Sequence, residues 1–186
     1  MIFLRNIRSK WITNLVSDFI KDTKKVIDIG AGDCILTKSL MKTKNVDVVA
    51  VDRGNFSKTD IAPIILDGVE LPFPDNHFDA ALLIFVLHYV RDRDRLLAEA
   101  KRVAKNRIII ISDFCTNSFE KFLTSIWGYF ANLGRASDRK IPFCIYESDL
   151  KNIAEKFGLK IIAEKNFRSL LSLYLIKHKL LVLEKK

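Results

Sequence analysis

The chain has 186 residues, 49% of them apolar and 28% charged, with a formal net charge of +9. That length suits one domain, residues 1–186, with a single substantial core, and that balance excludes an intrinsically disordered chain. The basic excess suits RNA, an anionic membrane surface, an acidic substrate or simply a lysine-rich solvated surface.

Met1-Ile2-Phe3-Leu4 is interrupted by Arg5 and Arg8, too short for a signal-peptide core. Helical spacing predicts a helix from about Lys10 to Ile20, with Trp11, Leu15, Phe19 and Ile12 inward. Lys25–Ile29 reads as a buried strand and Ile35–Met41 as a short helix. Val46–Val51 is a second buried strand ending at Asp52. Ile61–Leu66 predicts a third strand, short or near an edge because of Pro63. Phe78–Leu87, the longest apolar run, suits a central parallel strand. Arg91–Lys105 predicts a helix with Leu96, Leu97, Ala100, Val103 and Ala104 inward, and the β-branched Arg107–Ile111 a strand.

Beyond Asp113 the alternation breaks. Phe119, Phe122, Leu123, Ile126, Phe130 and Leu133 lie at helical spacing behind a capping pair, Asn117 and Glu120. Ser148 reads as the cap of a further helix bearing Leu150, Ile153, Ala154 and Phe157, stopped by Gly158. Lys160–Lys165 and Leu170–His178 or beyond are two last strands, with a short connection that suits an antiparallel hairpin. The fold expected is α/β, a doubly wound and mostly parallel sheet with that hairpin at one edge.

The three cysteines, Cys34, Cys115 and Cys144, show no metal-ligand spacing. They argue against disulfides or zinc and for a reducing cytoplasm. No apolar stretch reaches the ~18 residues of a bilayer span, which leaves peripheral membrane contact open.

The chemistry concentrates at Val26-Ile27-Asp28-Ile29-Gly30-Ala31-Gly32-Asp33-Cys34: a strand, a tight turn without side chains and the start of a helix. Such a turn lets a ligand approach backbone N–H groups at a helix N-terminus. Asp52, about 20 residues on, can accept both ribose hydroxyls of a nucleoside, a device shared by NAD and S-adenosylmethionine sites. Three observations favour S-adenosylmethionine. Ile35 stands where a dinucleotide fingerprint wants its third glycine. Asp28 and Asp33 suit a ligand with an amino group and a sulfonium better than a diphosphate. No Tyr-x-x-x-Lys pair exists for short-chain dehydrogenase chemistry.

Asp28-Ile29-Gly30-Ala31-Gly32, Asp52 and the run Asp67-Gly68-Val69-Glu70-Leu71-Pro72-Phe73-Pro74-Asp75-Asn76-His77-Phe78-Asp79 resemble the class I S-adenosylmethionine-dependent methyltransferases. The resemblance is to the type 11 group, typified by ubiquinone/menaquinone biosynthesis methyltransferases. Val86-Leu87-His88-Tyr89-Val90 and Glu99-Ala100-Lys101-Arg102-Val103 resemble its next signatures, and the match covers about residues 25–113. The resemblance implies a seven-stranded sheet. It implies that Asp28, Gly30, Ala31 and Gly32 shape the methionine pocket, that Asp52 binds the ribose, and that Arg53 lies beside the adenosine. Asp67 would bond the adenine amino group, with the Gly68 or Val69 backbone against the ring. Ile84, Phe85 and His88 would line the place where donor and acceptor meet. Two departures stand out: Cys34 replaces a frequent third glycine, and Ala104-Lys105-Asn106-Arg107 replaces Lys-Pro-Gly-Gly.

His88 reads as a general base, a cofactor-lining group or a satisfied, partly buried histidine. The aromatic stretch with Phe119, Phe122, Ile126, Trp127, Tyr129 and Phe130, inside about 114–145, reads as core packing or as a lid over a hydrophobic acceptor. Asp138-Arg139-Lys140 reads as a solvated loop. The activity expected is methyl transfer to a small, hydrophobic or aromatic acceptor at O, C or N. The rivals are an RNA methyltransferase and a methyltransferase-like module that binds without turnover. Against the first, no Asn/Asp-Pro-Pro-Tyr follows the fourth strand.

Overall fold

A computed structural model describes residues 2–132, 145–168 and 176–186. In chain order the elements are α1 (Ile2–Ile20), β1 (Lys25–Ile29), α2 (Ile35–Lys44), β2 (Asp47–Asp52), β3 (Ile64–Ile65) and β4 (Phe78–Ile84). A 3-10 turn (Leu87–Tyr89) follows, then α3 (Arg93–Val103), β5 (Ala104–Cys115), α4 (Ser118–Asn132), β6 (Ile145–Tyr146), α5 (Glu147–Lys156), β7 (Leu159–Arg168) and β8 (Lys177–Lys185).

The strands form one mixed sheet in the order β3-β2-β1-β4-β5-β8-β7, with the two-residue β6 added to the end of β5. β1 through β5 pair in parallel, while β8 runs antiparallel to both β5 and β7. The doubly wound α/β sheet with an antiparallel C-terminal pair is therefore present.

Side-chain alternation splits the core in two. Ile27, Ile29, Ala81, Leu83, Ile108 and Ile110 face Leu96, Leu97 and Ala100 of α3 and Leu150 and Ala154 of α5. Their neighbours Val26, Ala80, Leu82, Ile109 and Ile111 face Ile12, Val16 and Ile20 of α1 and Leu40 of α2. A strand buried on both faces has no polar side to show, which is why β1, β4 and β5 read as mainly apolar runs, with the buried Asp28 the exception in β1.

Several boundaries differ from the sequence expectation. α1 begins at Ile2, because its first turns are tied down: Arg5 bonds Asp33 and the Ser9 hydroxyl donates to the Ile35 carbonyl. Its buried row is Ile12, Val16 and Ile20, whereas Trp11 is 43% exposed and packs edge-on against Phe167. Two rows of apolar residues lie one position apart on this helix, and the polar anchors Ser9 and Thr13 select which turns inward. β3 shrinks to Ile64–Ile65, since Pro63 has no N–H to pair. α3 passes into β5 at Ala104 without a loop, and β5 runs on to Cys115.

Ahead of α4, Asn117 caps the Glu120 N–H and Glu120 reaches back to the Thr116 N–H, as the capping pair predicts. Phe119, Phe122 and Ile126 are exposed rather than core. Tyr146, not Ser148, precedes α5, and Gly158 follows it at positive φ. The side chains of Trp127, Tyr129 and Phe130, together with Leu133, the Asp138–Lys140 loop, Cys144 and the start of the last strand at Leu170, lie outside the described set.

The segment that carries the strongest resemblance is scaffold. Arg102 donates to the carbonyls of Leu71 and Phe73 and pairs with Asp75 and Glu99. Glu99 in turn accepts the Leu71 N–H, and its carboxyl is held below its ordinary pKa mainly by Arg102. Asp79 accepts the N–H groups of Lys24 and Lys25 and so fixes the entry of β1. These contacts lie at the amino ends of β1 and β4, away from the glycine turn. A depression of about 330 Å³ there, lined by Glu70, Leu71, Arg95, Ala98, Glu99 and Arg102, belongs to this charged network.

Candidate functional site

β1 ends at Ile29 and the chain turns through Gly30-Ala31-Gly32 at the carboxyl ends of the parallel strands. Gly30 sits at φ +76°, and a Cβ there would lie 2.5 Å from Val86 Cγ2. Gly32 is also left-handed, at φ +58°, but nothing crowds it closer than 3.9 Å. Cys34 takes φ +56° and is fully buried, which gives a physical reason for glycine at such a position. Burial pushes the Cys34 thiol up, so it stays protonated.

The turn's N–H groups are used internally, contrary to the expectation of bare amides. Gly30 and Ala31 donate to the Val51 carbonyl, at 2.8 and 3.1 Å, and Cys34 donates to the Ala31 carbonyl. Gly32 donates to Asp52 Oδ2 at 2.7 Å. A phosphate would need those donors. Carboxylates stand around the turn instead. Asp28 is buried, accepts from the Thr37 hydroxyl at 2.6 Å, and is pushed up to about 6 by desolvation. Asp33 pairs with Arg5 at 3.1 Å. Asp52 accepts the Gly32 and Arg53 N–H groups, one on each oxygen, and each oxygen keeps a further lone pair.

The predicted adenosine-side residues line up along one edge. Arg53, Asp67 and Gly68 are exposed, and Val69 is half-buried against the core. Leu66 donates to the Asp52 carbonyl, which holds the start of the Asp67 turn close to Asp52. The expected residues after β4 are also present: Ile84 and Phe85 are half-buried, and Phe85 is left-handed at φ +58°, its N–H tied to the Ile111 carbonyl at 2.7 Å. A non-glycine residue in that region costs roughly 1–2 kcal/mol, a strain that the surrounding structure must hold in place.

Phe85 joins this turn to a second cluster. The Arg8 guanidinium lies 4.2 Å above its ring. Arg8 is exposed, while desolvation by neighbouring protein atoms lowers its pKa. On other sides of Phe85 stand His88 and His178, with ring centroids at 6.4 and 5.4 Å. His88 is 3% exposed, its Nδ1 has no hydrogen-bond partner among the described residues, and burial lowers its pKa. His178 Nδ1 lies 2.7 Å from Asp113 Oδ1. Burial opposes ionisation of Asp113, but the neighbouring His88, His178 and Arg8 outweigh it and hold the carboxyl below its ordinary range.

Arg8, Asp113 and His178 were not among the residues expected at the site. Their only sequence signals are a charge interrupting the N-terminal apolar run, an acid near the end of a β-branched strand, and a histidine within a strand of apolar residues.

Comparison with known proteins bears on the first cluster. Residues 27–111 match the family model described as a methyltransferase domain. A ubiquinone/menaquinone biosynthesis C-methyltransferase from Burkholderia mallei is 35% identical over 102 residues, which are 47% of this chain and 42% of that protein. The chain thus spans less than half the length of the curated relatives it matches. Among solved structures, a SAM-dependent methyltransferase from Archaeoglobus fulgidus is similar with a TM-score of 0.72 at 15% identity, covering 100% of both chains. A geranyl diphosphate C-methyltransferase from Streptomyces coelicolor, solved with S-adenosyl-L-homocysteine, has a TM-score of 0.72 at 10% identity over 95% of this chain and 79% of that one. At these identities the structures speak for the fold. No helix among the described residues is long and apolar enough to cross a membrane.

Proposed function

We propose that this chain, whose residues 27–111 match a methyltransferase-domain model, is a class I S-adenosylmethionine-dependent methyltransferase of the type 11 group that moves the methyl group to a small, hydrophobic or aromatic acceptor. The observation that carries this reading is the turn: its amides are consumed internally while Asp28, Asp33 and Asp52 surround it. Such a site repels a diphosphate and favours a ligand bearing an ammonium and a sulfonium.

On this reading Asp52 accepts the ribose hydroxyls, with Arg53 beside the nucleoside, and Asp67 with the Gly68–Val69 backbone meets the adenine. Gly30, Ala31 and Gly32 form the floor under the methionine part. The absence of a side chain at Gly30 leaves room for Val86, which shapes the same wall. Ile84 and Phe85 border the transferred methyl. S-Adenosylmethionine supplies an already activated carbon, so the residues' task is alignment and exclusion of water.

Apolar residues near the strand ends support a hydrophobic acceptor. Phe3, Leu4, Ile7 and Trp11 of α1 and Phe119, Phe122 and Ile126 of α4 are all exposed. α4 then serves as part of a substrate cover, and the same faces suit peripheral contact with a membrane. The name of the Burkholderia relative supports carbon as the methylated atom. Calorimetry with S-adenosylmethionine, followed by labelled methyl transfer into cell-extract fractions, tests the proposal. Binding and label in small lipophilic molecules is the expected result. Absence of binding at cellular donor concentrations would overturn it, and label in RNA would transfer the assignment to nucleic acid.

A further inference from the structure

We propose that the rim formed by the amino ends of the parallel strands, opposite the glycine turn, is a docking surface for the phosphodiester backbone of a single-stranded nucleic acid. This inference stands apart from the methyl-donor reading, since about 15 Å of β1 separates the rim from Gly30.

Strand order and register place a lysine at nearly every step along the rim. Lys44 closes α2 just before β2, and Lys24 precedes β1, where the Asp47 N–H donates to the Lys24 carbonyl at 2.9 Å. β4 is entered through His77, whose Nε2 lies 2.6 Å from Lys25 Nζ. Phe78 pairs with Ala104, so Lys105 stands at the entry of β5. Arg107 pairs with Glu184 and Leu159 with Lys185, which brings the end of β8, with Lys185 and Lys186, and Lys160 of β7 into the same row. In the sheet order β2-β1-β4-β5-β8-β7 these positions follow one another over five strand spacings, about 24 Å.

Lys24, Lys44, Lys105, Lys160 and Lys186 are exposed, and none forms an ion pair among the described residues. The acids of the same loops are mostly engaged: Asp75 with Arg102, Glu184 with Arg107, and Asp79 with the N–H groups of Lys24 and Lys25. Among the described residues Asp22 and Asp47 are the exceptions. Burial and the nearby Lys101 hold the Lys185 ammonium below its ordinary pKa, as expected where cations crowd one rim. Lys44 also answers the dipole of the α2 C-terminus. Lys105, Lys160 and Lys186 lie at strand ends, which carry little dipole, so helix stability does not account for them.

The shape of the row selects the polyanion. A line of cations one strand apart suits a linear chain of phosphates. His77 sits in the middle of that line, exposed and stacked on Phe73 with ring centroids 5.8 Å apart, and offers a base a ring to stack on. A bilayer surface favours apolar side chains that it can bury. Those lie toward the other end of the sheet: Phe3, Leu4 and Ile7 in the turns of α1 tied to Asp33 and Ile35, and Phe119 and Phe122 just beyond the carboxyl end of β5.

The test follows the fluorescence anisotropy of labelled dodecauridylate with the full chain at several salt concentrations. The wild-type protein is expected to bind at low salt, with log affinity falling against log salt at a slope of about −3 for about four engaged phosphates. K24Q/K105Q should lose about tenfold in affinity and flatten that slope by roughly 1.4. K10Q/K165Q, the same change of charge away from the rim, should shift affinity by less than about twofold. H77A should weaken dodecauridylate about fivefold or more and leave binding of inorganic polyphosphate unchanged. Thermal unfolding checks that each variant is folded. Absence of dodecauridylate binding by the wild-type protein at low salt, or equal losses in the rim and control variants, overturns the proposal. An H77A protein that binds the oligonucleotide like wild type also overturns it, leaving the row a site for phosphates alone. Sedimentation with phosphatidylglycerol vesicles, without binding of the oligonucleotide, overturns it in favour of a membrane. None of these readouts uses S-adenosylmethionine, so the methyltransferase reading stands or falls separately.

Discussion

At the donor end, the groups that shape the glycine turn come from residues 28–53 with one neighbour, Val86, whereas the second cluster draws Arg8 from α1, Phe85 and His88 from beyond β4, Asp113 from β5 and His178 from β8. The donor end is backbone held in a rare conformation, with its amides satisfied and its acids left over. The second cluster is side chains converging from distant segments. The difference teaches that a constant ligand can be met by local backbone geometry. Side chains converging from distant segments can change without disturbing any one turn.

The comparison breaks most sharply at Gly30. Gly30→Ala places a methyl 2.5 Å from Val86 Cγ2 at φ +76°, and is expected to cost roughly 4 kcal/mol and to abolish donor binding. Thermal unfolding and calorimetry read both losses. Adding Val86→Ala should recover only the packing part, because the left-handed backbone still penalises alanine.

Asp28 sharpens the electrostatic half. Its folded pKa of about 6 lies above its ordinary 3.8, so its contribution to stability is fully present below the ordinary value and is lost as pH rises through 6. Asp28→Asn keeps an acceptor for the Thr37 hydroxyl and should stabilise the unliganded protein by on the order of 3 kcal/mol above pH 6. Melting curves at several pH values check this; the gain should vanish near pH 4. Affinity for S-adenosylmethionine should fall below pH 6 in wild type but not in the variant.

Arg102 tests whether the signature segment is scaffold rather than site. Arg102→Met removes bonds to the Leu71 and Phe73 carbonyls and leaves Glu99 short of a partner, and should cost about 2 kcal/mol. Calorimetry should find donor affinity unchanged in the folded fraction, and a large loss would move Leu71–Asp79 into the site. Cys34→Gly is the smallest change. It relieves the left-handed strain but removes a fully buried Sγ, so denaturant unfolding should place it within about 1 kcal/mol of wild type. Cys34→Val, β-branched at the same φ, should lose clearly more.

Much of the fold was legible because buried parallel strands must be apolar on both faces, so β1, β2, β4 and β5 stand out as runs. The inward row of α1 was not legible. Its two apolar rows are equivalent until Ser9 and Thr13 meet α2. The stretch around Phe119 and Phe122 was ambiguous for a like reason, since periodicity reports an apolar face but not what it meets. His88 drew attention by its place after the longest apolar run. It is buried, whereas the histidine with an acid partner is His178.

The sequence by itself determined the glycine turn, because glycines, acids and a strand end within one short segment constrain backbone conformation directly. It also determined the layered fold, through alternation that each strand carries along its own length. Only the tertiary structure decided that the turn's amides face inward, that the signature loop is bolted to α3, and that Arg8, Asp113 and His178 meet at Phe85. Contacts between residues 65 to 93 positions apart leave no local period or spacing, and only the packed sheet brings them together.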